Sequence, residues 1–226
     1  MVSASQTKRV KGYSVYRPIV YGNEAHPLPP DKRPTGAAAD HTHQWTISVK
    51  GINDTDISYF IKKVQFKLHA ESYTPAIRTI ETAPFQVTET GWGEFEIAIK
   101  LYFHPESNEK PLQLFHYLKL HPYIGTEAEL EAHRLQGKSV TSYSYDEVVF
   151  NEPTEAMFEV LTNKGTARVP PRARGAKGEF VEETERMELD KLGAGLRKVK
   201  EQTDLIKQKA LAKEKEVAEL RRRLEE

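Results

Sequence analysis

An all-β fold, an antiparallel sandwich followed by a helical tail, is what this chain predicts. Three observations carry it. Seven or eight short segments alternate apolar and polar residues with period two. Turn signals separate them, as in sandwiches. No ten-residue helical pattern stands between them, which disfavours a parallel α/β sheet.

In order, Val10–Tyr21 (VKGYSVYRPIVY) is rich in β-branched and aromatic residues and reads as a first strand interrupted near Pro18. Gly22–Asp40 reads as a loop, with Pro27, Pro29, Pro30, Pro34 and Gly36. In HTHQWTISVKG, Trp45, Ile47 and Val49 alternate with Thr46 and Ser48 as a second strand. Ser58–His69 gives a third, with Val64, Phe66 and Leu68 inward, and Glu71–Ala76 is a polar turn. Ile77–Thr88 holds one or two short strands around Pro84 and Phe85. Phe95, Ile97, Ile99, Leu101 and Phe103 share one face of the next strand, which ends at Pro105. Leu112–His121 alternates again, with Leu112, Leu114, Leu118 and Leu120 on one side, and Val140–Phe150 is the last strand. The sequence contains no cysteine, so the pair that bridges antibody domains is missing and only the sandwich architecture is implied.

Pro153–Thr162 then reads as a short helix with proline in its first turn. The next stretch, KGTARVPPRARGAK, is basic, rich in proline and glycine, and reads as a linker over 164–181 able to touch DNA phosphates. From Glu182 to the end, apolar residues recur in three- and four-residue steps. With Leu189 at an a position, Leu192, Val199, Ile206 and Leu220 become d residues, a heptad pattern sustained over about five repeats. Thr203, Ala210 and Lys213 thin the seam, so this coiled-coil helix wants a partner. The organisation expected is a sandwich domain with its helix over 1–163, the linker over 164–181 and a coiled coil over 182–226.

Charged residues make up 29% of the 226 and cancel to a formal net charge of zero, which argues against a chain-wide nucleic-acid surface. No apolar run reaches the ~18 residues of a membrane span, and MVSASQTKRVKG has no secretory h-region, so a soluble intracellular protein is expected. No GxSxG elbow, GxxxxGKS/T loop or HExxH helix occurs, and no catalytic residue is assigned. Metal ligation by His41 and His43 with His116 or His121 is weighed against loop-end histidines bonded to backbone, and the second is favoured; neither metal nor cofactor is expected.

The chemistry concentrates in ETGWGEFEIAIKLYF. Gly91 and Gly93 bracket Trp92 on a loop just before a strong strand, which leaves backbone amides uncovered beside a large ring. Tyr73, next to Ser72, lies in a second turn. If the two loops meet at one end of the sandwich, they form a slot with aromatic walls. Core packing does not call for large rings in turns.

At these residues the chain resembles the YEATS-domain family. The matching pieces run in order from Val10 to Leu161: RPIVYGN, HTHQWTISVKG, FIKKVQFKLH…SY, PFQVTETGWGEFEIAIKLYF and YDEVVFNEPTEAMFEVL. The resemblance implies an immunoglobulin-like sandwich that reads acylated lysine, acetyl and crotonyl especially, on histone tails (histone three). It makes Tyr73 and Trp92 the slot walls, with Phe95 behind them and Ser72 hydrogen-bonding near the acyl amide. Gly91 and Gly93 shape the loop, the Trp92 amide donates to the acyl carbonyl, and His41 and His69 line the rim with His43 close by. With its coiled coil, the whole chain resembles the fungal subunit shared by a histone acetyltransferase complex and a variant-histone-exchanging remodeller. That implies a nuclear chromatin adaptor in transcription regulation and DNA repair, docked by its tail. One departure stands out: Ala70 and Glu71 both separate His69 from Ser72-Tyr73, where the family has a single residue. In a strand the extra residue reverses side-chain facing; in a loop it is absorbed. A second reading keeps the sandwich as an interaction scaffold indifferent to acylation.

Overall fold

In a computed structural model, the chain is described over residues 8–29, 33–35, 37–122, 126–128, 132, 136–165 and 180–225. Most of the basic linker, together with Pro30 and Gly36 of the first loop, lies outside these residues. Two compact units, Met1–Val169 and Pro170–Glu226, make up the chain.

The first unit is a β-sandwich of two antiparallel four-stranded sheets. Its strands are β1 (Ser14–Pro27), β2 (His43–Lys50), β3 (Ile61–Lys67), β4 (Ile77–Ile80), β5 (Phe85–Gly91), β6 (Glu96–Phe103), β7 (Leu112–Tyr117) and β8 (Val140–Asn151). One sheet runs β5-β2-β1-β8 and the other β4-β3-β6-β7. The alternation read from the sequence sets the core: Trp45, Ile47 and Val49 of β2 are buried, as are Val64 and Phe66 of β3 and Ile97, Ile99 and Leu101 of β6. Burying each such side chain stabilises the fold by about 1.5–3 kcal/mol.

The first strand departs from expectation. It passes through Pro18 and continues to Pro27 over what read as loop. Pro18 is tolerated because β1 there pairs only with β8, at Glu147; pairing with β2 begins at Val20. Gly22 lets β8 approach closely, since a Cβ on it would stand 2.1 Å from the Ser142 carbonyl oxygen. Asn23, fully buried, links the sheets. Its Nδ2 donates to the Lys119 carbonyl (2.8 Å), while its Oδ1 accepts from the Lys119 amide (2.9 Å) and meets His116 Nε2 (2.8 Å). Burial, with Lys119 a lesser contributor, pushes the His116 imidazole down to about 4. In β7, therefore, the inward face holds His116 and the partly buried Leu114; Leu118 and Leu120 are buried just beyond the strand, and Leu112 at its start is exposed.

Helix α1 (Glu155–Asn163) begins one residue after Thr154, whose hydroxyl accepts from the Met157 amide at 3.2 Å. Pro153 consequently sits outside the helix rather than in its first turn. The second unit contains α2 (Glu182–Glu225), 44 residues long. Its heptad residues Leu189, Leu192, Leu196, Val199 and Ile206 are all at least 60% exposed. No helix among the described residues is long and apolar enough to cross a membrane.

Candidate functional site

The two turns do meet, at the end of the sandwich where β2 begins and β5 ends. His43 pairs with Gly91 in the ladder, and the Thr42 amide donates to the Gly91 carbonyl at 3.1 Å. Just upstream, His41 Nδ1 lies 2.7 Å from the Thr90 hydroxyl. These bonds fix the edge from which the Trp92 loop departs.

The second turn leaves β3 at Leu68. The His69 carbonyl accepts from both the Ser72 amide (3.3 Å) and the Tyr73 amide (3.0 Å), and His69 Nδ1 lies 3.0 Å from the Ser72 hydroxyl. Ala70 and Glu71 are taken up inside this turn, so the additional residue does not reverse the facing of a strand. His69, Ser72 and Tyr73 all line one cavity of ≈ 210 Å³ with His41, Gly91, Trp92, Gly93, Glu94 and Phe95.

Two of the cavity's rings, Tyr73 and Trp92, differ in kind. Tyr73 is 8% exposed and Trp92 64%. Contrary to the reading of both as turn residues free of the core, Tyr73 belongs to it: its ring lies 5.7 Å from Trp45, edge-on, and 5.6 Å from Phe95. Its hydroxyl donates to the Thr90 carbonyl at 3.2 Å, and burial pushes the phenol above its ordinary range, so it stays protonated. Phe95 stands behind, 6.0 Å from both Trp45 and His69. Trp92 is thus the exposed member of a lining whose other aromatic residues, Tyr73 and Phe95, pack on the core.

Both ends of the Trp92 loop are anchored. Glu94 Oε1 accepts from the Leu120 (2.7 Å) and His121 (3.1 Å) amides, and the Phe95 carbonyl accepts from the Leu118 amide at 2.8 Å. Among the described residues, no loop or side-chain hydrogen bond engages the Trp92 or Gly93 amide. The two glycines are not equivalent: a Cβ on Gly91 would stand 2.5 Å from the Tyr73 hydroxyl, whereas one on Gly93 meets nothing within 4 Å.

His43 lies outside the cavity lining. It is buried and turned toward His121, ring centroids 4.9 Å apart, and its pKa is lowered by burial first and by His121 second. Of the histidines weighed as ligands, His43 and His121 are neighbours while His116 is bonded to Asn23 and His41 to Thr90, and among the described residues no group of three His, Asp or Glu is placed to hold a metal ion. Sequence reasoning missed Thr90 and Glu94. Thr90 follows the β5 pattern to the strand's end, and the E in GWGEF was a legible acceptor beside open amides.

The YEATS family profile matches residues 40–122, the span that contains every element of this site. "Protein AF-9 homolog" of Emericella nidulans is 46% identical over 244 residues, covering 98% of this chain and 87% of that one. The chain belongs to the YEATS family. The Saccharomyces cerevisiae AF-9 homolog, also of this family, is 44% identical, with 90% of this chain and 92% of that one covered. Among solved YEATS structures, the Yaf9 YEATS domain bound to H3K27ac is 49% identical, with a TM-score of 0.59 over 70% of this chain and 99% of that one. The Yaf9 YEATS domain recognising an H3K122suc peptide is 48% identical, with a TM-score of 0.57 over 69% and 99%.

Proposed function

We propose that this protein is a non-catalytic reader of acylated lysine on histone tails, and that Tyr73 and Trp92 are the walls of its slot. The observation that carries the reading is the pairing of a core-fixed Tyr73 with an exposed Trp92 whose amide no loop bond engages, around a cavity of ≈ 210 Å³. That similar YEATS domains bind H3K27ac and H3K122suc supports it.

Two rings alone do not select acyl-lysine, because a ring face also attracts an ammonium. The backbone donor makes the difference. An acyl carbonyl accepts its hydrogen bond, while an ammonium leaves a desolvated donor unpaired at about 1–3 kcal/mol. A planar unsaturated acyl group gains further by stacking between the rings. Ser72, whose hydroxyl lies 3.0 Å from His69 Nδ1, bonds the acyl amide in this reading. His41 and His69 form the rim, Phe95 backs the slot, and Gly91 and Gly93 give the loop its shape, Gly91 by making room for Tyr73.

In this reading the sandwich is immunoglobulin-like and α2 pairs as a coiled coil. The tail joins the reader to histone acetyltransferase and variant-histone-exchange assemblies in the nucleus, in transcription regulation and repair. The exposed heptad leucines support that role. Calorimetric titration of the full chain with matched histone H3 peptides tests the central part. Acetylated and crotonylated peptides bind on the order of tens of micromolar, about −6 kcal/mol, and the unmodified peptide far more weakly. Equal binding of all three assigns the sandwich to scaffolding.

A further inference from the structure

The outer face of the β4-β3-β6-β7 sheet carries large rings that the core does not use. Phe115 and Tyr117 are 54% and 49% exposed, and Ile77 49%. Strand register arranges this face in rows. Ile77, Lys67, Ala98 and Phe115 lie side by side; next come Thr79, Gln65, Lys100 and Gln113, then Lys63 beside Tyr102. Lysines and rings interleave: Lys63 and Lys100 sit 5.1 and 5.5 Å from the centre of Tyr102, and Lys119 4.6 Å from that of Tyr117. Carboxylates on or beside the face include Glu96, opposite Tyr117, and Glu81, 3.7 Å from Lys63.

Ala98 decides the shape. Between Lys67 and Phe115 in the row it contributes only a methyl, the smallest side chain there. A flat heterocycle laid there stacks against Phe115, with an attached phosphate within the sweep of Lys67 or Lys100. Rings that stack bases and lysines that neutralise phosphates are the two components of a single-strand platform. Gln65 and Gln113, in the adjacent row, supply donors and acceptors for base edges.

We infer that this sheet face binds single-stranded nucleic acid, with bases on Phe115 and Tyr117 and phosphates among Lys67, Lys100 and Lys119. A duplex keeps its bases stacked internally and leaves the rings idle. An acidic peptide answers the lysines and gives the rings no role. The face ends at Lys67 and Tyr117, the same end of the strands from which the His69 turn and the Trp92 loop emerge, so a strand and a peptide approach from one side.

The test is fluorescence anisotropy of the full chain with a labelled oligothymidylate of about twelve nucleotides. Binding is expected to weaken with salt. Joint Phe115→Ala and Tyr117→Ala substitution weakens it about tenfold or more, while Phe115→Tyr with Tyr117→Phe retains it. Joint Lys67→Ala and Lys100→Ala substitution flattens the salt slope. Unchanged circular dichroism melting shows that the variants are folded. No binding, or binding untouched by all of these changes, overturns the inference; the latter result places the strand on the basic linker. Equal binding of a duplex without an effect of the ring substitutions overturns it too, as does displacement by polyglutamate as effective as by unlabelled oligonucleotide, which assigns the face to an acidic protein.

Discussion

The hydroxyl of Tyr73 occupies the space that a side chain on Gly91 would need, 2.5 Å from where its Cβ would stand. Tyr73 packs where it does because the loop that carries Trp92 begins with glycine. Gly91→Ala is expected to push Tyr73 out, costing about 1–3 kcal/mol in urea denaturation and most of the peptide affinity. Gly93→Ala, in open space, leaves stability within about 0.5 kcal/mol. Equal effects of the two substitutions contradict this account of the loop.

The two rings separate stability from recognition. Trp92→Ala is expected to abolish acyl-peptide binding and to leave the melting transition in place, because the ring is mostly in solvent. Tyr73→Ala removes a ring packed on Trp45 and Phe95 and destabilises by about 3–5 kcal/mol. Tyr73→Phe loses only the bond to the Thr90 carbonyl, about 1 kcal/mol. Denaturation and titration of the three variants check the division.

His116 makes the fold sensitive to acid. Its folded pKa, about 4, lies below the ordinary 6.5, so below 6.5 the unfolded chain takes up a proton that the native one refuses. Stability is therefore unaffected above pH 6.5 and falls as the pH drops from there toward 4. His116→Gln, which can keep a bond to Asn23, flattens that part of the stability profile measured by urea unfolding.

Helix α2 is expected to associate through its heptad face. Ile206→Asp with Leu220→Asp abolishes that association in sedimentation analysis and leaves acyl-peptide binding by the sandwich unchanged. The thin centre of the seam, Thr203, Ala210 and Lys213, makes it easy to break.

Much of the sandwich was legible from alternation: Trp45, Ile47 and Val49 of β2, Val64 and Phe66 of β3, and Ile97, Ile99 and Leu101 of β6 all face inward, while Ser48, read as outward, is buried as well and the register of β3 shifts between Ile61 and Lys63. The second half of β1 was not. GNEAHP has no strand propensity, and its extended form comes from pairing with β2 and β8, distant in sequence. The Trp92 loop announced itself through its glycines. The burial of Tyr73 did not, since it depends on Trp45, Phe95 and Thr90 converging from three other segments. His43, in step with Trp45, Ile47 and Val49, carried its inward facing in the alternation.

In the proposed reading the slot's selectivity rests on one backbone donor, and the amide resonance of Trp92 would report on it directly. In ¹⁵N-correlated spectra of the full chain, an acetylated histone peptide is predicted to shift the Trp92 amide downfield to saturation, while the unmodified peptide at the same concentrations leaves it in place. A Trp92 amide that responds equally to both peptides, or to neither while the acetylated one binds, contradicts the reading of this loop as the acyl-carbonyl donor.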